Sequence, residues 1–318
     1  MKSFDVLCIT LINLNLLAKP VDRSLFDRDA TQAEEYSVVV GGDGTNQAVT
    51  LSQLGWRTGV CGSIGDDHFG QLALQMLSER GVDTSAVTCK PGQQTAVCFV
   101  MIGPDGERNF LVKRGACDAF HLGDIPPDLF LRTRVLNIGS LFTFRQLYGK
   151  PLAGLLRQAQ EHGVLTSADA MYDTYQLGPK SMDDVLPCLD YFFPSYGEAK
   201  YLTGECDAER IADALLAHGV KTVVIKLGAD GCLLKNAQCC LRQPAFPVPV
   251  VDTTGAGDSF IAGFLHSVCS GWDEARCIQM ASAAAAINIG AIGATGAIRS
   301  AGQVLDWLRQ RGCPLSGI

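Results

Sequence analysis

Short apolar runs and longer amphipathic segments alternate along most of the chain. In AGLLRQAQEHGVLTSADA, apolar residues recur at helical spacing up to a turn at Gly163, and a strand-like run follows at 164–168. The segment RIADALLAHGVKTVVIKLG repeats this order, with Gly219 closing the helix and a strand at 220–227. A glycine that follows a helix commonly takes the left-handed conformation that ends it. These repeats predict an α/β fold with a mostly parallel central sheet and helices on both of its faces.

Two stretches, at about 13–40 and 93–114, depart from this alternation because they contain strand-like runs without intervening helices. Within the second stretch, TAVCFVMIGPDGERNFLV has the pattern of a hairpin with its turn at 104–106. We therefore predict a single domain over residues 1–318, from which a small β-sheet projects. A small sheet that projects over a cleft would act as a lid.

Composition narrows the classes of function. The net charge of −7 and the absence of a Lys/Arg-rich block argue against a nucleic-acid-binding protein. Thirteen cysteines are scattered without a C-x-x-C pair, so we expect reduced thiols in a cytoplasmic protein rather than a zinc site. Polar residues interrupt the apolar N-terminal stretch, and no run of 18 apolar residues occurs. We therefore expect a buried first strand, no signal peptide and no membrane span.

The stretch DTTGAGDSF, at 252–260, lies between a proline-rich extended segment and a helical pattern, so we predict a strand-to-helix junction. Small residues there let successive backbone N–H groups converge, and the start of the helix adds a positive dipole end. The backbone of Gly255, Ala256 and Gly257 would then form an anion hole, with Asp258 in the first helical turn. Asp258 could simply cap the helix. Alternatively, it could accept a proton from a hydroxyl that attacks a phosphoryl group bound in the hole.

A second glycine-rich stretch, GGDGTNQA, also lies between a strand-like run and a helix. It lacks the G-x-G-x-x-G spacing of a dinucleotide-binding loop. The polar residues Asp43 and Asn46 beside bare backbone at Gly42 would suit recognition of hydroxyl groups on a polyol.

GGDGTNQAVTLSQLG and DTTGAGDSFIAGF resemble the two signature stretches of the PfkB, or ribokinase-like, carbohydrate kinases. The resemblance covers nearly the whole chain, and both motifs occur in the family's order. It implies a ribokinase-like three-layer α/β/α domain with a β-sheet lid. It also implies transfer of the γ-phosphate of ATP, with Mg²⁺, to a hydroxyl of a sugar or sugar derivative.

The resemblance also assigns roles to single residues. Asp258 matches the catalytic base, and Gly255, Ala256 and Gly257 match the anion hole. The substrate-binding positions are Asn13 and Asn15, placed at the exit of the first strand, together with Gly42, Asp43 and Asn46. The nucleotide-binding positions are Ser195, Lys226, Gly228, Asp230, Gly231, Gly257 and Ser282. Glu198 would hold Mg²⁺ through water, and the carbonyl groups around Asp252, Thr254 and Gly293 would line a K⁺ site of the kind found in potassium-dependent members.

Three positions depart from the family pattern. Asn15 stands where an aspartate is usual, and Thr10 stands where a glycine is common. The N-x-x-E motif is reduced to Ser195-Tyr196-Gly197-Glu198, which keeps the acid but loses the amide. Glu198 could instead interact only with the start of its helix.

The substrate is left open by the sequence. Lys113, Arg114 and Arg145 could place positive charge beside the sugar, so an anionic sugar acid is one hypothesis, and solvated surface charge is the other. A nucleoside kinase of the same fold is an alternative, as is a non-catalytic sugar- or nucleotide-binding sensor. Because the lid would leave an unpaired sheet edge, and lid strands in this family often pair across a dimer, we also expect a homodimer formed through the lid.

Overall fold

A computed structural model describes residues 3–105 and 107–313. The strands of this part of the chain are β1 Val6–Ile9, β2 Asn13–Lys19, β3 Glu35–Gly41, β4 Thr58–Gly65, β5 Val82–Lys90, β6 Ala96–Ile102, β7 Arg108–Lys113, β8 Val135–Ile138, β9 Leu165–Asp169, β10 Tyr191–Phe193, β11 Thr222–Lys226, β12 Cys232–Asn236 and β13 Cys240–Gln243. The α-helices are α1 Asp43–Gln53, α2 His68–Glu79, α3 Leu129–Arg132, α4 Lys150–Glu161, α5 Tyr196–Thr203, α6 Ala208–Ala217, α7 Ala256–Cys269, α8 Glu274–Ile289 and α9 Ala301–Gln310.

The main sheet has the order β13-β12-β11-β10-β9-β8-β1-β4-β5. The seven strands from β11 to β5 are parallel, and β12 and β13 add an antiparallel edge. In a parallel sheet all carboxyl ends lie along one edge, which is where ligands bind in open α/β sheets. The predicted α/β architecture is therefore confirmed, although the predicted strands at 164–168 and 220–227 are shifted or shorter in the structure.

Helices cover both faces of the main sheet. Side chains of β1 alternate between two hydrophobic clusters, with Leu7 and Ile9 in one and Val6 and Cys8 in the other. The first cluster includes apolar residues of α4 and α6, and the second includes those of α1, α7 and α8. Strands buried on both sides in this way need continuous apolar sequence, which is why VLCI has no polar residue.

A second sheet has the order β3-β2-β6-β7 and is formed by the two stretches that depart from the helix–strand alternation. The pair β6–β7 is the predicted hairpin, in which Val97 pairs with Lys113 and Ile102 with Arg108. The predicted turn at 104–106 includes Gly106, which lies outside the described residues. The connection from β2 to β3 forms a 3₁₀ turn at Arg23–Asp27, in a stretch where no helix was expected.

Two details of the sequence prediction are wrong. The segment before α7 is not a strand, because prolines at 244, 247 and 249 lack the N–H group that a sheet ladder requires. The second error is that Asn13 and Asn15 do not leave the first strand. Strand β1 ends at Ile9, and both asparagines belong to β2 of the small sheet.

All thirteen cysteines are free thiols, and eight of them are buried. Among the described helices, none combines the length and the apolar character that crossing a membrane would require.

Candidate active site

Two glycines fix the starts of α1 and α7. Gly42 precedes α1 with φ 108°, and Gly255 precedes α7 with φ 73°. A Cβ atom at Gly42 would lie 1.9 Å from the carbonyl oxygen of Leu11, and one at Gly255 would lie 2.6 Å from the backbone of Ala294. Both positions therefore require glycine, for conformation and for space. Each glycine motif thus begins a helix, and the two helices pack against each other.

The carboxylate of Asp258 joins the two motifs. Asn46 Nδ2 donates to Asp258 Oδ2 at 2.9 Å, and Gln47 Nε2 donates to Asp258 Oδ1 at 3.1 Å. The residue is only 7% exposed. The two motifs, more than 200 residues apart in the chain, therefore meet at this carboxylate. Asn46 was predicted to bind substrate, and its amide in fact faces Asp258, so its role in binding stays a prediction.

A chain of buried hydrogen bonds holds Gln47 in place. Asn137 Nδ2 donates to Gln47 Oε1 at 2.6 Å, and Ser167 Oγ donates to Asn137 Oδ1 at 2.8 Å. Gln47, Asn137 and Ser167 are all fully buried. A fully satisfied polar network of this kind rigidifies the group at its end, which here is the carboxylate of Asp258.

Several acidic groups share this edge of the sheet. Burial raises the pKa of Asp258 well above its usual value, and the nearby charge of Asp43 raises it further. Burial likewise raises the pKa of Asp43, although a hydrogen bond from Ser140 Oγ acts in the opposite direction. Burial also raises the pKa of Asp169 to about 7. Carboxyl groups with raised pKa values are suited to exchanging protons near neutral pH.

A lysine lies among these carboxylates. Lys226 Nζ is 2.6 Å from Asp169 Oδ1, and a Cβ atom at Gly257 would lie 3.4 Å from the same Nζ. Burial lowers the pKa of Lys226, but the carboxylates of Asp169 and Glu198 outweigh it, and the pKa is raised overall. The ammonium group is therefore charged and lies against the backbone of the predicted anion hole.

The asparagines of β2 lie beside the first glycine motif. Asn13 Nδ2 donates to Asn15 Oδ1 at 2.6 Å. A Cβ atom at Gly41 would lie 2.4 Å from Asn15 Nδ2, so the Asn15 amide packs directly on the motif's backbone. The small sheet thus contributes amide groups next to the start of α1, where the sequence predicts the substrate.

An apolar pocket of about 530 Å³ opens beside the start of α7. Its walls include three of the predicted nucleotide-binding residues, Gly228, Gly231 and Ser282, as well as Ala256 of the predicted anion hole. Asp230, in the same predicted loop, is exposed. The volume lies within the range usual for small-molecule sites, and mostly apolar walls suit a planar ring.

Ser195 and Glu198 form a capping box at the start of α5. Glu198 Oε2 accepts a hydrogen bond from the Ser195 backbone at 2.7 Å, and the Ser195 hydroxyl accepts one from the Glu198 backbone at 3.4 Å. Within residues 3–105 and 107–313, no three acidic, histidine or cysteine side chains are placed to hold a metal ion together. The charge of Glu198 nevertheless acts on Asp169 and Lys226, and Glu198 Oε1 makes no hydrogen bond among the described residues. These groups fit a Mg²⁺ ion held through water better than one held in a protein cage.

The predicted K⁺-site residues are bonded to each other. Asp252 Oδ1 accepts a hydrogen bond from the Thr254 backbone at 2.8 Å, and Asp252 Oδ2 accepts one from the Gly293 backbone at 2.9 Å. The carbonyl oxygen of Thr254 accepts a hydrogen bond from Asn288 Nδ2 at 2.7 Å. The guanidinium of Arg108, from the small sheet, donates to Asp252 Oδ1 and to Thr254 Oγ1.

The three candidate cations for an anionic substrate differ in their surroundings. Arg114 is paired with Asp118 at 3.0 Å, and it also donates to the carbonyl oxygen of Thr143. Lys113 is exposed on β7. Arg145 lies over the ring of Tyr175 at 5.9 Å and, among the described residues, has no acidic partner. The charge of Arg114 is thus already compensated, which the sequence could not indicate.

Comparison with known proteins places the chain in a family. Residues 3–301 match the model of the pfkB family carbohydrate kinases. The chain belongs to this family.

Individual relatives are distant but align over most of their length. A 5-dehydro-2-deoxygluconokinase of Geobacillus thermodenitrificans is 26% identical over 320 residues, which cover 95% of this chain and 91% of the relative. A ribokinase of Haemophilus influenzae is 27% identical, covering 86% and 89%. The structure of Arabidopsis thaliana ribokinase complexed with ribose and ATP superposes with a TM-score of 0.82 at 23% identity, covering 97% and 99%. The predicted family, ribokinase-like fold and carbohydrate kinase class are confirmed.

Three polar residues of this pfkB-family kinase were missed by sequence reasoning, namely Gln47, Asp169 and Arg108. Gln47 directly follows a predicted site residue, and Asp169 ends a strand of the parallel sheet. Because the ends of parallel strands meet at one edge, Asp169 could have been found from the sequence. The partners of Arg108 lie about 145 residues further along the chain, and no local pattern indicates them.

Proposed function

We propose that this pfkB-family kinase transfers the γ-phosphate of ATP to a hydroxyl group of a sugar or sugar derivative, with Asp258 as the general base. The observation that carries the proposal is the placement of the Asp258 carboxylate. It lies in the first turn of α7, directly after the predicted anion hole, and the Asn46 and Gln47 amides of the other motif face it.

Asp258 has the properties that a base for a sugar hydroxyl needs. The amides of Asn46 and Gln47 fix both carboxylate oxygens, so the carboxylate is oriented before substrate arrives. Its raised pKa makes it a stronger proton acceptor than an ordinary aspartate. The hydroxyl would give its proton to Asp258 as the oxygen attacks phosphorus and the bond to ADP breaks.

The phosphate charge would be met by backbone and by lysine. The N–H groups of Gly255 and Gly257 stand at the start of α7, where the helix dipole is positive. The N–H group of Ala256 donates to the carbonyl oxygen of Thr253 at 3.2 Å and would have to turn towards the phosphate. Lys226 brings an ammonium group to the same turn. Because phosphoryl transfer depends mainly on positioning and charge stabilisation, these groups supply what the reaction asks of a protein.

ATP would place its base in the apolar pocket beside Ser282, which brings the phosphates towards Ala256. Magnesium, when bound with ATP, would offset phosphate charge, and Glu198 would hold it through water. Asn13, Asn15 and Asp43 would bind hydroxyl groups of the acceptor under the small sheet, whose closure as a lid would exclude water.

One specific acceptor that we favour is an anionic sugar, because Arg145 has no acidic partner among the described residues and could pair with its charge. The relative named 5-dehydro-2-deoxygluconokinase, whose name denotes a sugar acid, is consistent with this. We expect Arg145→Ala to lose activity on sugar acids more than on neutral sugars. An equal loss on both would remove Arg145 from substrate recognition.

The small sheet would also join two copies of the chain. Its strands expose large apolar side chains, including Phe110 at 61% and Leu111 at 62%. An exposed apolar edge strand is prone to pair with another chain. A Leu111→Lys variant should therefore shift the sedimentation of a homodimer towards the monomer.

A coupled ADP-release screen tests the function. Pentoses, hexoses, sugar acids and nucleosides are offered with Mg·ATP, and Asp258→Asn serves as the matched inactive control. We expect release of ADP with at least one sugar or sugar acid and with no nucleoside. Turnover with nucleosides alone would establish a nucleoside kinase instead. Sugar binding without turnover by the folded protein would indicate a sensor.

A further inference from the structure

Arg108 links two distant parts of the molecule. It is the first residue of β7 in the small sheet, and its guanidinium donates to Thr254 Oγ1 and Asp252 Oδ1. Its side chain is 28% exposed and that of Asp252 is 12% exposed, so the ion pair is largely shielded from solvent. Asp252 and Thr254 belong to the turn that leads directly into the predicted anion hole at 255–257.

The side chains that would face a monovalent cation already have partners. Each oxygen of the Asp252 carboxylate accepts a backbone N–H, from Thr254 and from Gly293, and one also accepts the guanidinium. The carbonyl of Thr254 is bonded to the amide of Asn288. The guanidinium of Arg108 already occupies the side chains of Asp252 and Thr254, and a potassium ion bound there would have to displace it. With Arg108 in this place, these residues do not fit the K⁺ site that the family resemblance implied.

The guanidinium supplies what such an ion would have supplied. It brings one positive charge to the Asp252 carboxylate, and its planar fork bonds two groups of the turn at once.

We propose that Arg108 is a positioning residue that takes the place of a monovalent cation in this kinase. It neutralises Asp252 and holds the 252–255 turn, and through the turn it holds the backbone N–H groups of the anion hole. Because Arg108 belongs to the small sheet, the anion hole is held in shape by the same element that covers the acceptor. This inference rests on the proposed kinase activity for its kinetic test.

The experiment measures ADP release at constant ionic strength with K⁺, Na⁺ or choline as the only monovalent cation. Wild-type turnover should differ by less than about twofold among the three. Arg108→Met should lower kcat by about tenfold or more in choline, since the turn loses a charge-assisted donor pair. Millimolar guanidinium or K⁺ should restore part of that loss. Arg108→Lys keeps the charge but not the planar fork, so its kcat in choline should lie between those of wild type and Arg108→Met.

Arg23→Met is the matched control. Arg23 lies against the same cavity of the small sheet as Arg108 but has no ion pair among the described contacts. It should behave as wild type in every salt. A wild-type rate that rises several-fold in K⁺ over choline would overturn the proposal, and so would an Arg108→Met variant with normal kcat. Loss of kcat that no cation restores would reduce Arg108 to a merely structural residue and would also overturn it.

A thermal-shift arm keeps the inference separate from the proposed function. If no acceptor gives turnover, the kinase proposal fails while the cation proposal is still tested by the melting temperature. K⁺ should then stabilise Arg108→Met relative to choline and should leave wild type unchanged. If Arg108→Met does not fold, Arg108→Lys and the wild-type salt series decide the question.

Discussion

The two ends of strand β11 carry the same ion pair in different surroundings. At the amino end, Lys221 Nζ lies 2.6 Å from Asp190, and at the carboxyl end, Lys226 Nζ lies 2.6 Å from Asp169. The Lys221 side chain is 64% exposed, whereas that of Lys226 is 17% exposed. Distance alone therefore does not distinguish a structural pair from a functional one.

What differs is the charge around each pair. Asp190 also accepts hydrogen bonds from the backbone and hydroxyl of Thr166, so that pair is locally satisfied. The pair at the carboxyl end lies beside two further acidic groups, Glu198 and Asp43, whose charges raise the pKa of Asp169. Grouping buried acidic side chains beside the predicted anion hole costs stability. It is consistent with a site prepared for magnesium and a phosphate group.

The largest expected difference between the two ends comes from removing each lysine. Lys226→Met should lower kcat/KM for ATP by about 10²-fold or more, because a charged donor at the phosphate is lost. Lys221→Met should change it less than twofold, since an exposed pair contributes about 0–1 kcal/mol. Steady-state ADP release at varied ATP measures both. Equal losses would mean that the two pairs are equivalent.

Removing the acid of each pair should give a smaller kinetic difference between the two ends than removing the lysine. Asp169→Asn leaves Lys226 in place but releases its ammonium group, so we expect about a tenfold loss in kcat/KM for ATP. Asp190→Asn is the matched control and should retain wild-type kinetics, with at most a lower melting temperature. A kinetic defect in the Asp190→Asn variant, or none in Asp169→Asn, would contradict this assignment.

The pH profile sharpens the comparison further. Because a general base must be deprotonated, turnover should fall as pH decreases through the raised pKa of the Asp258 carboxyl. The charge of Asp169 contributes to that raised pKa, so Asp169→Asn should shift the acid limb to lower pH. Asp190→Asn should leave the limb where it is. The pKa seen in this acid limb is a property of the coupled carboxyl groups together. Measurement of kcat/KM from pH 5 to 9 gives its value.

The smallest expected effect is on stability. The pKa of Asp258 is higher in the folded protein than in the unfolded chain, so the folded state binds the proton more tightly. This preference contributes its full stabilisation of the fold at pH values below the unfolded pKa. That stability is lost as pH rises through the folded pKa. Asp258→Asn has no such pH dependence, so its melting temperature relative to wild type should rise by a few degrees as pH increases to 8, about 2 °C per kcal/mol. A difference in melting temperature that stays constant with pH would contradict the raised pKa.

Much of the fold was predictable because its signals are local. The helix–glycine–strand repeats are set by neighbouring residues, and so are the helix starts at Gly42 and Gly255. The break between Ile9 and Asn13 was not predictable, because the apolar pattern continues across it while the chain passes from one sheet to the other. Local pattern cannot distinguish one long strand from two that belong to different sheets.

The site was predictable in its motifs but not in its contacts. Asp258 and Asn46 were both selected from sequence, yet their hydrogen bond joins positions more than 200 residues apart. The pairing of Arg108 with Asp252 is of the same kind, and we propose that it takes the place of an ion that the family resemblance implied. Such contacts depend on how the two sheets are placed, which short sequence windows do not encode.

Turnover by the Asp258→Asn variant, compared with wild type on the best acceptor from the screen, tests the central claim most directly. The substitution keeps the size of the side chain and one acceptor for the Asn46 and Gln47 amides. If Asp258 takes the acceptor's proton at the anion hole, kcat should fall by about 10²- to 10⁴-fold in a protein that still unfolds in one cooperative transition. A folded variant whose kcat stays within tenfold of wild type would contradict the account.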